Sequence, residues 1–184
     1  SDHTWSAPAG KTLLSSWVFA MNLSPQPVLS ATIGLAVYKA FQNTWPWLSW
    51  SLKAPNDIYL SSKKVAGLLI ENVQEGTGRN RLVIGLGMNV FATPNLDTAT
   101  SLNTELGVKA EHSLTCKEWE EAMDRLLLEL SLAVSQTGAL LTQQQCLSLQ
   151  EALNKFPLLS QKYDRVLPDG SLEARDKKIH WSEL

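Results

Sequence analysis

The order of apolar and polar positions predicts an α/β chain with strands and one helix in its first half. An almost unbroken apolar run over residues 13–23 predicts a buried strand. Apolar residues recur every four positions between residues 28 and 43, which predicts a helix. Leu48, Trp50 and Leu52 alternate with polar residues, so we expect a half-buried strand there.

The densest pattern lies between residues 53 and 89. Proline, asparagine and aspartate at 55–57 predict a turn, because proline restricts the backbone and the other two bond nearby backbone groups. Short apolar runs at 58–60 and 65–73 predict two strands joined by a polar hairpin turn. A second polar turn, which contains two glycines, leads to a third predicted strand at 82–90.

Charged residues and glycines make this stretch a candidate ligand site. If the first two strands pair, Asp57 and Lys64 lie near the same end of the sheet. Gly85 and Gly87 alternate along the third strand, so one face there has no side chains, and Asn89 shares their parity. A glycine inside the second strand marks a bulge or a close approach. The residues alone leave two interpretations open: a flat ligand on the bare face, or a tightly packed sheet with a surface ion pair.

Two further helices are predicted by their first residues. Thr115 and Thr142 each begin a capping box, with glutamate or glutamine three positions later. His112 precedes the first of these helices and has no obvious partner in the sequence. The residues 168–170, Pro-Asp-Gly, predict a turn between short β-like runs in the tail.

Composition narrows the functional class. The chain has 184 residues, 44% of them hydrophobic and 18% charged, and a net charge of -2, which suits a globular domain with a sizeable core. It has no basic patch with interleaved aromatics, no apolar run long enough for a membrane span and no visible signal peptide, so we expect neither nucleic-acid binding nor membrane insertion. Cys116 and Cys146 lie in helical patterns outside any metal-ligand cluster, which favours a cytoplasmic location.

Three blocks of the central stretch resemble the biotin protein ligases. KAPNDIYL, KVAGLLIE and VIGLGMN follow one another with gaps like those of the family. Upstream, Trp5 begins a W-S-A-P-A-G segment that is similar to the W-x-S-P-x-G stretch of these enzymes. Ala54 departs from the pattern, since the family usually has tryptophan there. The resemblance extends from Trp5 to about Leu106.

This resemblance implies an ATP-dependent biotin protein ligase that forms biotinyl-5'-AMP and transfers biotin to a lysine of a biotin carboxyl carrier protein. It implies an α/β fold in which a mixed, mainly antiparallel sheet is backed by helices. Lipoate ligases share this fold, and class II aminoacyl-tRNA synthetases have a similar one. Biotin and ATP are the implied substrates, with Mg²⁺ bridging phosphates and a carboxylate. Many family members form homodimers.

The resemblance also implies roles for individual residues. Lys64 is the expected catalytic residue, which holds the biotin carboxylate and a phosphoryl oxygen. Asn56 and Asp57 are expected to face the phosphates, with Asp57 as the metal ligand. The other implied substrate-binding residues are Trp5, Gly67, Leu68, Gly85, Leu86, Gly87 and Asn89.

We expect a ligase-like catalytic core over residues 1–137 and a C-terminal helix with a short β tail over 138–184. In the family, a glycine- and arginine-rich loop precedes the position of Trp5, so we expect this core to be incomplete at its N-terminus. Two alternatives stay open. One is an inactive ligase-like protein that binds biotin or acts through protein partners, and the other is a relative that transfers lipoate or octanoate.

Overall fold

A computed structural model describes the fold over residues 9–21, 26–74, 76, 80–175 and 177–184. The elements are β1 (Thr12–Met21), α1 (Val28–Thr44), β2 (Trp50–Lys53), β3 (Asp57–Leu60), β4 (Lys63–Gln74), β5 (Asn80–Asn89), α2 (Leu102–Ala110), α3 (Cys116–Ser135), α4 (Gln143–Asn154), β6 (Arg165–Val166), β7 (Leu172–Ala174) and β8 (Lys177–Ile179). A short 3₁₀ turn, Trp181–Glu183, ends the chain. The predicted α/β class is confirmed, and the predicted strands and helices are found within a few residues of their expected bounds.

The main sheet has the strand order β1-β5-β4-β3-β2, and neighbouring strands run antiparallel. Between β3 and β4 the register shifts, because Ile58 pairs with Ala66 whereas Tyr59 pairs with Lys64. Val65 is therefore an extra residue in β4, which is the geometry of a β-bulge. The glycine of this strand predicted a bulge or a close approach, and the bulge lies two residues before it.

One face of the sheet forms the core. Alternate residues of β5, from Leu82 to Met88, are almost completely buried on this inner face, as are Ala66 and Leu68 of β4. Helix α1 is buried along most of its length and packs against α3, α4 and β2. Burial of these side chains is the main stabilising contribution, at roughly 25 cal/mol for each Å² of apolar surface removed from water.

The predicted alternation in β2 is wrong at one position. Ser51 is only 1% exposed, although the pattern placed it on a solvated face. It pairs with Tyr59, whose ring meets Phe156 edge-on with the centroids 4.7 Å apart. Helix α4 also contacts β2, so this strand is covered on both faces and not on one.

Helix α2 was not predicted. Only Leu102 and Leu106 of this helix are buried, and Gly107 interrupts it, so its apolar periodicity is weak. The available signal was its N-cap: Ser101 precedes the helix, and its hydroxyl accepts a hydrogen bond from the Thr104 backbone N–H at 3.3 Å.

The capping boxes at Thr115 and Thr142 are confirmed. His112 has a partner that the sequence did not suggest, since its Nε2 lies 2.8 Å from a carboxylate oxygen of Glu118 in the first capping box. The predicted tail turn joins β6 to β7, and Gly170 within it has a positive φ of 83°. None of the helices in the described part of the chain is long and apolar enough to cross a membrane.

Candidate functional site

The outer face of the sheet carries one row of paired residues that crosses all five strands. Lys53 on β2 is opposite Asp57 on β3, and Asp57 is opposite Gly67 on β4. Gly67 is opposite Gly87 on β5, and Gly87 is opposite Leu14 on β1. Two glycines in the centre leave a side-chain-free floor between a charged end and an apolar end, which suits a ligand with a flat apolar part and an anionic group.

The next row extends this floor. Gly85 lies between Ser16 of β1 and Leu69 of β4, and Leu14 and Leu69 are 61% and 59% exposed. A methyl group added at Gly85 would come no closer than 3.4 Å to Leu69 Cβ, which is ordinary contact. The strand packing therefore leaves room for a side chain at Gly85.

The bulge at Val65 decides where Lys64 points. A regular strand would place residues 64 and 67 on opposite faces, because side chains alternate with a period of two. The extra residue reverses that parity, so Lys64 pairs with Tyr59 on the face that carries Asp57 and Gly67. There its Nζ lies 2.5 Å from Asp57 Oδ1, and the two side chains are 34% and 18% exposed. The predicted proximity of Asp57 and Lys64 is confirmed.

Thr100, in the loop before α2, is hydrogen-bonded to the backbone of Lys64. The Lys64 backbone N–H donates to the Thr98 carbonyl at 2.8 Å, and the Thr100 N–H donates to the Lys64 carbonyl at 2.9 Å. The Thr100 carbonyl accepts from Asn89 Nδ2 at 3.1 Å, and its hydroxyl donates to Glu105 at 2.9 Å. One residue of the loop before α2 thus positions both Lys64 and Asn89. This role of Thr100 was not predicted, because a threonine in a loop has no distinctive sequence pattern.

Two buried polar atoms lie at the end of the floor. Asn89 is 2% exposed, and its Oδ1 has no hydrogen-bond partner among the described residues. Thr12 is paired with Asn89 across β1 and β5, and its buried Oγ1 also lacks a partner in this part of the structure. An unpaired buried polar atom costs about 1–3 kcal/mol. Two of them at facing positions indicate a place where a ligand can supply the missing hydrogen bonds.

Tyr59 lies beside the charged pair and is largely buried. Burial, and after it the carboxylate of Asp57, raises the pKa of the Tyr59 phenol above its usual range. The phenol is therefore neutral at physiological pH. It adds a hydrogen-bonding group beside Asp57 and Lys64 without adding charge.

The remaining predicted residues differ in position. Leu68 and Leu86 lie on the inner face, 4% and 2% exposed, so only their backbones reach the candidate site. Asn56 precedes β3, and its Nδ2 donates to the Leu68 carbonyl at 2.8 Å. Trp5 lies outside the described residues.

The described residues contain no cluster of three or more histidine, cysteine or acidic side chains able to hold a metal ion. Asp57 is the single carboxylate in the row across the glycine floor. Mg²⁺ is commonly bound through one or two carboxylates together with substrate phosphates, so one carboxylate is compatible with an ion that arrives with a nucleotide.

A model of the biotin/lipoate A/B protein ligase family matches residues 1–89. The matched part contains all three sequence blocks and ends at Asn89, the last residue of β5.

Curated relatives are biotin ligases. The bifunctional ligase/repressor BirA of Bacillus subtilis is 29% identical over 128 residues, which cover 62% of this chain and 39% of that protein. A biotin–[acetyl-CoA-carboxylase] ligase of Paracoccus denitrificans is 32% identical over 98 residues, which cover 50% of this chain and 39% of that protein. The chain thus spans about two fifths of the length of these relatives.

Solved ligase structures share the fold over almost the whole chain. The biotin protein ligase from Aquifex aeolicus in complex with biotin and ATP superposes with a TM-score of 0.61. The match covers 96% of this chain and 88% of the other at 17% identity. The family's fold therefore continues beyond the 89 residues that the family model matches.

Proposed function

We propose that this chain is the catalytic part of an ATP-dependent biotin protein ligase. The observation that carries the proposal is the pair of Lys64 and Asp57 beside a floor of glycines in the family's sequence blocks. The fused rings of biotin lie on the floor, and the Lys64 ammonium donates hydrogen bonds to the biotin carboxylate. Names of the curated relatives favour biotin over lipoate as the acyl group.

In the first step, a carboxylate oxygen of biotin attacks the α-phosphorus of ATP. A new P–O bond forms, the bond to the bridging oxygen breaks, and pyrophosphate leaves with the electron pair. Lys64 brings the two anions together and stabilises the negative charge that develops on the phosphoryl oxygens. Its compact ammonium has three donors, so it can serve the carboxylate and the phosphate at once.

In the second step, the neutral amine of a carrier lysine attacks the acyl carbon of biotinyl-5'-AMP. An amide bond forms, the acyl–oxygen bond breaks, AMP leaves and the amine releases a proton to solvent. The partner we propose is a biotin carboxyl carrier protein domain. Partial exposure of Lys64 is compatible with a lysine that arrives from outside.

The nucleotide lies at the Asn89 end of the floor. Asn89 Oδ1 is a buried acceptor and Thr12 Oγ1 is a buried donor or acceptor, and both are unpaired among the described residues. The amino group and ring nitrogens of adenine have the complementary groups. Asp57 is the residue that would hold Mg²⁺, and the ion would neutralise part of the charge on the phosphates.

Calorimetric titration with biotin and ATP·Mg²⁺ tests this proposal, on the chain and on Lys64→Ala. We expect binding to the unmodified chain and at least about ten-fold weaker binding to the variant, because a charge-assisted hydrogen bond contributes about 1.5–3 kcal/mol. The amount of pyrophosphate released measures how much biotinyl-5'-AMP has formed. Equal binding to both proteins would refute the role of Lys64, and binding of lipoate in preference to biotin would refute the substrate.

A further inference from the structure

Lys53 is a second lysine on the outer face, at the end of the glycine row. It is the last residue of β2 and lies directly opposite Asp57 in the sheet register. Its side chain is exposed, and among the described residues no ion pair or side-chain hydrogen bond involves it. Asp57 is the nearest carboxylate in the row, and it already pairs with Lys64.

Strand order places the polar groups in a sequence across the sheet. Asn89 lies on β5, Lys64 on β4, Asp57 on β3 and Lys53 on β2. Neighbouring strands are about 4.8 Å apart, so Lys53 begins about 10 Å beyond Lys64 in the direction away from Asn89. A nucleotide with its base at Asn89 and its α-phosphate at Lys64 therefore directs its β- and γ-phosphates towards Lys53.

We propose that Lys53 binds the β- and γ-phosphates of ATP and the pyrophosphate that leaves. This inference rests on the proposed function, because it takes the position of the α-phosphate from the role of Lys64. Lys64 shares its charge with Asp57 and with the biotin carboxylate, so a second cation is needed where the rest of the triphosphate charge lies. A flexible lysine can follow the pyrophosphate as the P–O bond breaks, since its ammonium is a point charge on a long stem.

The test compares ligands that contain the β- and γ-phosphates of ATP with one that lacks them. ATP, AMP and inorganic pyrophosphate are titrated into the chain and into Lys53→Ala, Lys53→Arg and Lys63→Ala. Lys63 is the matched control, because it is an exposed lysine next to Lys64 but sits at the hairpin turn. We expect Lys53→Ala to weaken ATP and pyrophosphate by about five- to ten-fold and to leave AMP unchanged, as for the loss of one charged contact. Lys53→Arg should restore most of the ATP affinity, and Lys63→Ala should bind all three ligands normally.

The outcomes separate this inference from the proposed function. Equal ATP affinity in Lys53→Ala and the unmodified chain would overturn the role of Lys53 while leaving the ligase function intact. An equal loss of ATP and AMP affinity would overturn it too, because the residue would then act on the shared part of the nucleotide or on the sheet. Failure of the unmodified chain to bind either nucleotide would overturn the proposed function and the inference with it.

Discussion

Replacing Gly85 with alanine tests whether this glycine serves ligand binding or the packing of the sheet. The added Cβ lies 3.4 Å from Leu69 Cβ, 3.7 Å from the Leu69 carbonyl oxygen and 3.9 Å from Ser16 Oγ, all ordinary contacts. Loss of a glycine within a strand lowers the entropy of the unfolded chain, which stabilises the fold by about 0.4–1 kcal/mol. The same methyl group stands where a flat ligand would rest, and such overpacking costs about 1–3 kcal/mol of binding energy. We therefore expect a fold at least as stable as before and a biotin affinity lower by about 30-fold.

Thermal denaturation and calorimetric titration with biotin and ATP·Mg²⁺ measure the two effects on one preparation. Gly107→Ala is the matched control, because a Cβ there meets nothing within 4 Å and the residue lies in α2, away from the glycine row. It should raise stability by about 1 kcal/mol and leave binding unchanged. Unchanged biotin affinity in Gly85→Ala would refute the idea that the ligand lies on β5. A large loss of stability in Gly85→Ala would instead refute the argument that the strands leave room for a Cβ at this position.

Three further predictions concern stability. Thr115→Ala removes the cap of α3 and should lower the free energy of unfolding by about 1 kcal/mol in chemical denaturation. Gly170→Ala should destabilise by more than about 1 kcal/mol, because φ there is 83° and the new Cβ would lie 3.1 Å from Val28 Cγ2; an unchanged denaturation midpoint would contradict this. Burial opposes ionisation of Asp169, but hydrogen bonds from Lys178 and from the residue 171 backbone lower its pKa from 3.8 to about 2. Because the folded pKa is lowered, this stabilisation is present above about pH 4 and is lost as the pH falls towards 2, so the difference in melting temperature between the chain and Asp169→Asn should shrink on acidification.

Strands and capped helices could be predicted because their signals are local. The alternation of Gly85, Gly87 and Asn89 predicted a shared face, and the register confirms it. The face of Lys64 could not be derived from periodicity, because a bulge reverses the parity of every residue beyond it. Strand pairing alone brought Lys64 near Asp57 in the prediction, and the extra residue in β4 supplies the orientation.

Burial on the outer face depends on long-range contacts that no local pattern contains. Ser51 is buried because Phe156, more than a hundred residues later, packs on its pairing partner Tyr59. Thr100 joins Lys64 to Asn89 through backbone groups, and any residue type with a peptide bond can make such contacts. The supporting residues of the candidate site are therefore visible only in the fold, whereas its glycines and charges are visible in the sequence.

Departures from regular strand structure coincide at one end of the outer face. Glycines in strand interiors, a bulge and unpaired buried polar atoms each lower stability when considered alone. Here all three occur together on the neighbouring strands β1, β5 and β4, at Gly67, Gly87, Val65, Thr12 and Asn89. Sequences usually satisfy such local rules except where function opposes them, so their joint violation here is a physical argument for a ligand site that does not depend on resemblance. A ligand that fills the floor and pairs the polar atoms should raise the melting temperature of the chain, because it binds the folded state alone.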